Sequence, residues 1–358
     1  MIRVTFGITC KNASLTIDKV LELLLLQEGD FEKIFVVVDG GSSDGTLEMV
    51  RDILSKSKIQ YILESGNYTI PEGRNRVLEL AMGINTDYIL FIDADVVFRF
   101  RNLVQVLLNL AKKLGEKAVI SVPYKYLHFS NPLDAEKFMD TVAKKNEYLE
   151  NSGYNIRAIA WSGLGFTLLP REAATIKFDV DMTFDEDTYI CLELYRGGFK
   201  LYEVSIGEDV AFDINVKASN IYFSMGLRNY LRGIRKKVAM YVYENFDPLF
   251  LNFVKNFAAN NNKSLYHVFY TTLAILGILT NNQPLLLSAF ILILFYILLQ
   301  FRKSRSPKKI LVAWLKFFTY SLILTLLLIP TYLKHRLEYR EIYKTIDSLR
   351  REVAKVDE

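Results

Sequence analysis

Two acidic residues in this chain have the spacing of a metal site. Asp93 and Asp95 directly follow the apolar run Tyr88–Ile92 and are separated by one residue. At the carboxyl end of a parallel strand, where α/β sheets bind ligands, such a pair predicts a site for Mg²⁺ or Mn²⁺. Because side chains at i and i+2 of an extended segment face the same way, we expect both carboxylates to face one ion. An ordinary acidic loop after a strand is the alternative.

A second acidic pair, Glu186 and Asp187, stands at the predicted start of a helix that runs to Arg196. Acids in a first helical turn are favourable for the helix dipole, which is the structural explanation. A carboxylate that reaches a bound hydroxyl can also act as a general base. The pair is therefore a candidate for proton transfer.

A glycine-rich loop follows the apolar run Val36–Val38 and spans residues 39–46. Its first residue, Asp39, lies at a predicted strand end, where its carboxylate could accept hydrogen bonds from a base or a ribose. Asp44 is a predicted helix N-cap. A plain strand-to-helix turn explains the glycines but not the position of Asp39.

These residues lie among alternating strand and helix patterns in residues 1 to about 225, which predict a mostly parallel α/β sheet with helical crossovers. The predicted strands are Arg3–Thr9, Ile34–Val38, Ile59–Leu63, Tyr88–Ile92 and Ala118–Val122. Helical periods recur within 17–24, 47–54, 77–81 and 103–114.

Composition excludes several classes of protein. The 358 residues are 51% hydrophobic, which argues against a disordered chain. Only two cysteines and three scattered histidines are present, so neither a disulfide framework nor a zinc hydrolase is expected. The net charge of +4 excludes neither an acidic ligand nor an ordinary surface.

Charged and apolar residues are segregated towards the carboxyl end. Residues 226–262 begin with a basic amphipathic stretch, which predicts interfacial helices on an anionic membrane. A basic helix packed on its own domain is the alternative. Residues 263–333 contain three apolar runs and predict a transmembrane region of two or three helices, followed by a charged helical tail at 334–358. A basic loop at 302–309 predicts a multi-pass cell-membrane protein with its α/β domain in the cytoplasm.

The ordered set of loops resembles glycosyltransferase family 2, whose members have the Rossmann-like GT-A fold. The matching pieces span about residues 3–205. They are Phe6-Gly7-Ile8-Thr9, Val38-Asp39-Gly40-Gly41-Ser42-Ser43-Asp44-Gly45-Thr46, Gly73-Arg74-Asn75-Arg76, Asp93-Ala94-Asp95, Trp161-Ser162-Gly163, Glu186-Asp187 and Gly198-Phe199-Lys200. The resemblance implies a nucleotide-sugar donor and a divalent metal.

The resemblance also implies roles for single residues. Thr9, Asp39, Arg74 and Asp93 would bind the nucleotide sugar, Asp95 with Asp93 would hold the metal, and Asp187 with Glu186 would be catalytic. The second acid of the usual family motif is Gly40 here, so both uridine and guanosine stay open as the base. A UDP-sugar is the expectation over a GDP-sugar.

The expected activity is inverting transfer of the sugar to a hydroxyl of a membrane-associated acceptor, a lipid-linked glycan. A polyprenyl phosphate is the alternative acceptor, and its ionised oxygen needs no base. Trp161, Arg228, Arg232 and Arg235 are the candidate acceptor-binding residues. A nucleotide-sugar-binding membrane scaffold without catalysis is the alternative of another class, and no nucleic-acid partner is expected.

Overall fold

We describe a computed structural model of the chain at residues 1–145, 147–149, 154–182, 186–206, 210–216, 234–249, 252–253, 283, 287–288 and 307–354. The side chains of residues 234–235, 307–325 and 329 are outside this description. The chain divides into two compact units. The first comprises Met1–Val180, Phe184–Ala218 and Lys344–Glu358, and the second comprises Asp181–Thr183 and Ser219–Tyr343.

An eight-stranded sheet forms the centre of the first unit. Its strand order is β3-β2-β1-β4-β9-β6-β10-β8, and the adjacent strands β3, β2, β1 and β4 are parallel. β9 and β8 run antiparallel to their neighbours. The strands are β1 (Ile2–Cys10), β2 (Phe31–Asp39), β3 (Gln60–Ser65), β4 (Tyr88–Asp93), β6 (Ala118–Ser121), β8 (Tyr154–Ala158), β9 (Phe166–Pro170) and β10 (Lys200–Ile206). The predicted α/β class and its mostly parallel sheet are confirmed.

A smaller sheet lies in the same unit and has the order β5-β11-β7. It consists of β5 (Val96–Phe98), β7 (Tyr124–His128) and β11 (Ala211–Asn215). Only Ala94 and Asp95 separate the end of β4 from the start of β5, so the chain passes from the large sheet to the small one through these two residues. They form a turn and not the extended segment that we expected.

Helices of the first unit pack their apolar sides against its two sheets and against one another. α1 buries Ile17, Val20, Leu21, Leu23 and Leu24, because apolar side chains three and four residues apart share one face. The helices are α1 (Ile17–Leu25), α2 (Thr46–Lys56), α3 (Ile70–Gly83), α4 (Leu103–Leu114), α5 (Pro132–Lys144) and α6 (Glu186–Arg196), with a 3₁₀ turn at Arg171–Thr175. Each of the first four contains one of the predicted helical periods.

The second unit contains α7 (Ile234–Glu244) and most of α8 (Pro307–Ala354), a helix with Pro330 in its interior. Aromatic side chains join the two helices: Tyr243 packs edge-on against Tyr339 at 5.3 Å between ring centroids. The Tyr332 hydroxyl donates to the Asp247 carbonyl at 2.9 Å. Buried aromatic contacts of this kind hold helices together through apolar area and one satisfied polar tip.

The prediction of a membrane-embedded carboxyl-terminal region is wrong. Throughout the parts of the chain described above, no helix has both the length and the apolar character that crossing a bilayer requires. Tyr332, near the end of the third apolar run, is buried and stacks on Phe253 at 4.7 Å between ring centroids. The proposed multi-pass localisation and the cytoplasmic placement derived from it are overturned by the same finding.

The interfacial helices expected at 226–262 stay a prediction, because the structure describes only 234–249 and 252–253 of that stretch. In α7, Lys237, Val238 and Met240 are buried. Most of the first two apolar runs, at 265–301, lies outside the described residues, as do Arg228 and Arg232.

Candidate active site

The side chain of Arg74 is the centre of the candidate site. Its Nη2 donates to Asp93 Oδ1 at 3.0 Å, and its Nη1 contacts both Asp187 Oδ1 and, at 3.4 Å, Glu186 Oε1. The residue is only 4% exposed. One cation therefore joins three acids that are up to 113 positions away from it in the chain. Because the guanidinium is buried, the negative charges of these acids compensate the cost of removing it from water.

Aromatic and amide contacts fix Arg74 in this position. Its guanidinium lies 5.5 Å from the ring centroid of Phe178, a cation–π distance. The side chain of the neighbouring Asn75 hydrogen-bonds both backbone groups of Phe178: it accepts from the N–H at 2.7 Å and donates to the carbonyl at 2.8 Å. α3 begins with a capping box of Thr69 and Glu72, which places Arg74 in the second turn of the helix.

Glu186 and Asp187 form the first turn of α6, as predicted. Burial raises the pKa of Asp187 and nearby Asp93 adds to this, whereas the charge of Arg74 and a hydrogen bond from the Leu164 N–H lower it. The net direction is upward from the ordinary value. A carboxylate with a raised pKa is a stronger base once ionised, which is the property that general-base catalysis uses.

Asp93 and Asp95 face a third carboxylate that comes from the small sheet. Burial, followed by the charges of Asp93 and Asp213, raises the pKa of Asp95. Burial and Asp93 also raise the pKa of Asp213 to about 6, with His128 opposing the rise. Asp213 lies on β11 directly opposite Val96, and the next residue, Ile214, donates its N–H to the Asp95 carbonyl at 2.9 Å.

These acids meet the chemical requirements of a divalent cation, although they are not a closed cage. Asp213 Oδ1 is buried and has no hydrogen-bond partner, so a cation would satisfy an otherwise orphaned oxygen. One oxygen of Asp93 is already bonded to Arg74. Among the residues that the structure describes, no three His, Cys, Asp or Glu side chains are preassembled around one point. Mg²⁺ commonly binds through one or two carboxylates and completes its shell with water and phosphate oxygens.

The Asp39 carboxylate is turned into its own loop. It accepts from the N–H groups of Gly41 and Ser42 at 3.1 and 3.0 Å and from the Ser65 hydroxyl at 2.7 Å. It also accepts from the Ser42 hydroxyl, and the residue is 1% exposed. Burial would raise its pKa, but these hydrogen bonds outweigh burial and hold the pKa below its ordinary value. In this conformation the carboxylate shapes the loop and does not face the cavity.

The structure gives a reason for Gly40 at the position of the second family acid. A Cβ on Gly40 would lie 3.1 Å from the Tyr68 carbonyl oxygen and 3.4 Å from the Lys11 side chain. A larger residue would therefore crowd the neighbouring loop. Asp44 is not the N-cap that we predicted, because Gly45, at φ 92°, occupies that position. The Asp44 carboxylate accepts instead from the Ser14 N–H at 3.0 Å and the Thr46 N–H at 3.2 Å.

A cavity of about 1100 Å³ opens over the carboxyl ends of β1, β2 and β4. Its lining includes Thr9, Arg74, the two DxD acids and Asp213. Asn67, Tyr68 and Ile70 contribute to the wall nearest the glycine-rich loop. Asp187 and Trp161 are not among the lining residues. Asp187 instead contacts Arg74, which lines the cavity and also binds Asp93.

The loop that contains Trp161 approaches the acids from this other side. The Gly165 carbonyl accepts from the Asp93 N–H at 3.0 Å, and a Cβ on Gly165 would lie 2.9 Å from Asp93 Oδ2. Tyr124 packs against the same glycine, since the added Cβ would also lie 2.8 Å from its ring. The base of the loop is fixed by the Tyr195 hydroxyl, which donates to the Ile159 carbonyl at 2.6 Å.

The structure thus brings together Thr9, Arg74, Asp93, Asp95, Glu186 and Asp187, and it places Asp39 just below the same strand ends. Of the candidate acceptor-binding arginines, Arg228 and Arg232 lie outside the described residues, as does the side chain of Arg235. Our sequence analysis missed Asp213 and Tyr124. The acid in the apolar strand 211–215 was an available signal, because a charged residue rarely stands in a buried strand without a partner.

A family model matches the segment of the chain that carries most of this site. Residues 5–180 match the model of glycosyl transferase family 2. They include the glycine-rich loop, Arg74, the DxD pair and Trp161, whereas Glu186 and Asp187 follow the matched segment. No curated protein sequence matches the chain.

Solved structures show the same fold at low sequence identity. The structure of TarS residues 1–349 from S. aureus in complex with UDP has a TM-score of 0.51 and 12% identity, and the match covers 91% of this chain and 90% of that one. The same protein in complex with UDP-GlcNAc matches with identical values of all four quantities. At this identity the likeness establishes the fold, and the fold agrees with the family match.

Proposed function

We propose that this chain transfers a sugar from a nucleotide-sugar donor to a hydroxyl group of its acceptor, with inversion at the anomeric carbon, because residues 5–180 match the model of glycosyl transferase family 2. The observation that carries the proposal is the contact network of Arg74, which links the wall of the cavity to the Glu186–Asp187 pair. A bound donor and a general base are thereby adjacent without sharing one pocket.

The donor occupies the cavity in this proposal. Thr9 and the Asp39 loop lie at the nucleoside end, and Arg74 lies at the end where the strand-end acids are. Asp39 contributes by holding the loop and would have to release Ser42 or Ser65 to contact the base itself. A UDP-sugar is the donor that we propose first, because UDP and UDP-GlcNAc are bound by the structural neighbour of the same fold.

Asp95 and Asp213, with Asp93 beside them, would hold a Mg²⁺ or Mn²⁺ ion on the diphosphate. Such an ion neutralises negative charge on the leaving group when it is bound. The buried, unbonded oxygen of Asp213 supports this assignment, and so does the position of all three acids on the cavity wall.

Asp187 is the general base in this mechanism. Its carboxylate takes the proton of the acceptor hydroxyl while that oxygen forms a bond to the anomeric carbon. The bond from the anomeric carbon to the diphosphate oxygen breaks at the same time, and the nucleoside diphosphate leaves with the electron pair. Attack opposite to the leaving group inverts the anomeric centre. Arg74 orients Asp187 through its hydrogen bond and keeps it ionised for proton uptake.

The presence of a base favours a hydroxyl acceptor over a polyprenyl phosphate, whose oxygen is already ionised. A lipid-linked glycan and a free glycan both offer such a hydroxyl. Arg228, Arg232 and Arg235 remain candidates for binding acceptor phosphates, on sequence grounds alone.

The test is a donor survey with the purified full chain. We expect release of nucleoside diphosphate from one of a set of UDP- and GDP-sugars, loss of this release with EDTA, and its recovery with Mn²⁺ or Mg²⁺. Donor binding by calorimetry without any turnover, with or without glycan and lipid acceptors, would contradict the enzyme and favour a binding scaffold. Retention of configuration in the product would contradict the single-displacement mechanism.

A further inference from the structure

The carboxyl-terminal turns of α8 belong to the first unit, although most of this helix belongs to the second. Ile346, Leu349 and Val353 are buried, and their spacing of three and four residues puts them on one face of the helix. Asp347 and Arg351, between them in the chain, are exposed. One apolar face therefore docks this end of the helix, and the proposed transfer reaction assigns no role to it.

A hydrogen bond shows what this end of α8 contacts. Arg350 Nε donates to the Ala158 carbonyl at 3.1 Å, across a separation of 192 residues. Its Nη1 donates to Asp347 Oδ1, one turn earlier in the helix, also at 3.1 Å. Ala158 is the last residue of β8, which is the last strand in the order of the large sheet. Arg350 thus binds the edge strand at the point where the strand ends.

The next carbonyl of the chain is fixed as well. The Tyr195 hydroxyl of α6 donates to the Ile159 carbonyl at 2.6 Å, and the Ile159 N–H donates to the Leu201 carbonyl at 3.0 Å. The charge of Arg350 also acts on the Tyr195 hydroxyl. Two successive carbonyls are therefore held from two helices, one by α8 and one by α6.

The loop that starts here, residues 159–165, ends at the acids of the candidate site. We call it the Trp161 loop. Its Leu164 N–H donates to Asp187, and its Gly165 carbonyl accepts from the Asp93 N–H at 3.0 Å. Because the loop is short and bound at both ends, a shift at its first residue changes the position of the Leu164 N–H at the other.

We infer that Arg350 is a positioning residue of the transfer reaction: through the Ala158 carbonyl it holds the Trp161 loop in the conformation that directs the Leu164 N–H at Asp187. This inference rests on the proposed function. Arg350 does not line the donor cavity, and its side chain is 52% exposed. Its loss should therefore cost the whole fold little, whereas a small misplacement of a catalytic group lowers the rate strongly.

Two nearly isosteric substitutions isolate the hydrogen bond. Arg350→Gln keeps an N–H donor at the same number of bonds from Cα as the arginine Nε, whereas Arg350→Met has a side chain of the same length without a donor. Both remove the charge, and glutamine and methionine have similar helix propensities. Any difference between the two variants therefore reports the donor itself.

The first measurement is hydrogen–deuterium exchange of the full chain, followed by mass spectrometry. Amides of the Trp161 loop should exchange about tenfold faster in Arg350→Met than in Arg350→Gln, because one hydrogen bond no longer opposes opening of the loop. Amides of β2 should exchange equally in both variants. Equal exchange of the loop in the two variants would overturn the inference.

The second measurement is hydrolysis of the donor by water, followed as release of nucleoside diphosphate from the UDP- or GDP-sugar that the wild type cleaves. Arg350→Met should lower kcat about tenfold relative to Arg350→Gln, with the donor KM and the melting temperature unchanged. Arg351→Met is the matched control, because it changes the next, exposed arginine of the same helix, and it should behave as the wild type does.

The outcomes separate positioning from a structural role and from failure of the proposed function. Equal kcat in the two Arg350 variants, or a lower melting temperature of Arg350→Met at unchanged kcat, would make the contact structural only and overturn the inference. Failure of the wild type to cleave any donor would overturn the proposed function and the positioning role with it. The exchange measurement does not depend on turnover and would still report whether Arg350 holds the loop.

Discussion

Arg74 and Asp187 are joined by a direct ion pair between the second turn of α3 and the first turn of α6. The same guanidinium reaches Asp93 through its other terminal nitrogen, at 3.0 Å. A residue at the wall of the donor cavity is thus also the residue that orients the candidate base. Any movement of Arg74 on donor binding would therefore change the contact that orients Asp187.

The bridging geometry predicts that Arg74→Lys lowers kcat roughly 100-fold, because a lysine keeps the charge but cannot span both carboxylates. Lysine keeps the charge that lowers the pKa of Asp187 but loses the guanidinium hydrogen bond, which also lowers it, so the acid limb of the kcat profile should move to higher pH. Arg76→Lys is the matched control, because Arg76 pairs with Glu64 and Glu79 and lies on the same helix as Arg74. An unshifted profile in Arg74→Lys would refute the positioning role.

Removal of the base should affect chemistry and not donor binding. Asp187→Asn is expected to lower kcat by about 10²–10⁴-fold, the usual contribution of a general base. Donor affinity measured by calorimetry should stay near that of the wild type, since Asp187 does not line the cavity. Glu193→Gln is the control, because it changes an acid of the same helix that pairs only with neighbouring Arg196 among the ion pairs described. A near-wild-type rate for Asp187→Asn would remove the base assignment.

Gly165 is expected to tolerate no side chain. In Gly165→Ala the new Cβ would meet Asp93 Oδ2 at 2.9 Å and the Tyr124 ring at 2.8 Å, so one of them must move. Overpacking of this kind costs about 1–3 kcal/mol of unfolding free energy, and the shift of Asp93 should lower donor turnover as well. Gly83→Ala is the control, because a Cβ added there would have nothing within 4 Å of it. Equal melting temperatures for the two variants would contradict this packing.

The unbonded oxygen of Asp213 predicts a measurable loss of metal affinity. Mn²⁺ titrations followed by electron paramagnetic resonance should show that Asp213→Ala weakens binding about 10–100-fold, with or without donor turnover. Asp140→Ala, which removes an exposed acid paired with Lys19, should bind Mn²⁺ as the wild type does. Identical titration curves for the two variants would exclude Asp213 from the metal site.

The lowered pKa of Asp44 predicts that part of the free energy of unfolding depends on pH. Hydrogen bonds from Thr46 and Ser14 outweigh its partial burial and lower its pKa to about 2. A carboxyl with a depressed folded-state pKa stabilises the fold above its unfolded pKa, near 4, and loses that contribution as the pH falls to about 2. Because Asp44 is exposed, we expect about 1 kcal/mol.

Urea unfolding at pH 6 and pH 2.5 tests this expectation. Asp44→Ala should be less stable than the wild type at pH 6, and the difference should shrink at the lower pH. Asp52→Ala, an exposed acid paired with Lys56 on α2, should change the unfolding free energy by less than half as much. A stability difference that is the same at both pH values would contradict the assignment.

The sequence alone determined the α/β class, the strand–helix alternation and the positions of the two acidic pairs at a strand end and a helix start. Each of these depends on short-range patterns: apolar periods define strands and helices, and acids placed just after a strand run appear at the sheet edge that binds ligands. The family resemblance added the order of the loops. None of this required knowledge of which distant segments meet.

Tertiary structure decided the rest, because it depends on contacts across long chain separations. Arg74, expected at the nucleoside, proved to be bound to Asp187 and Glu186, more than 110 positions away. Asp213 joined the DxD acids only because β11 pairs with β5. Apolar composition also misled us at the carboxyl end: within the residues that the structure describes, no helix has the length and apolar character of a membrane span, and the composition of a run does not settle which environment its side chains meet.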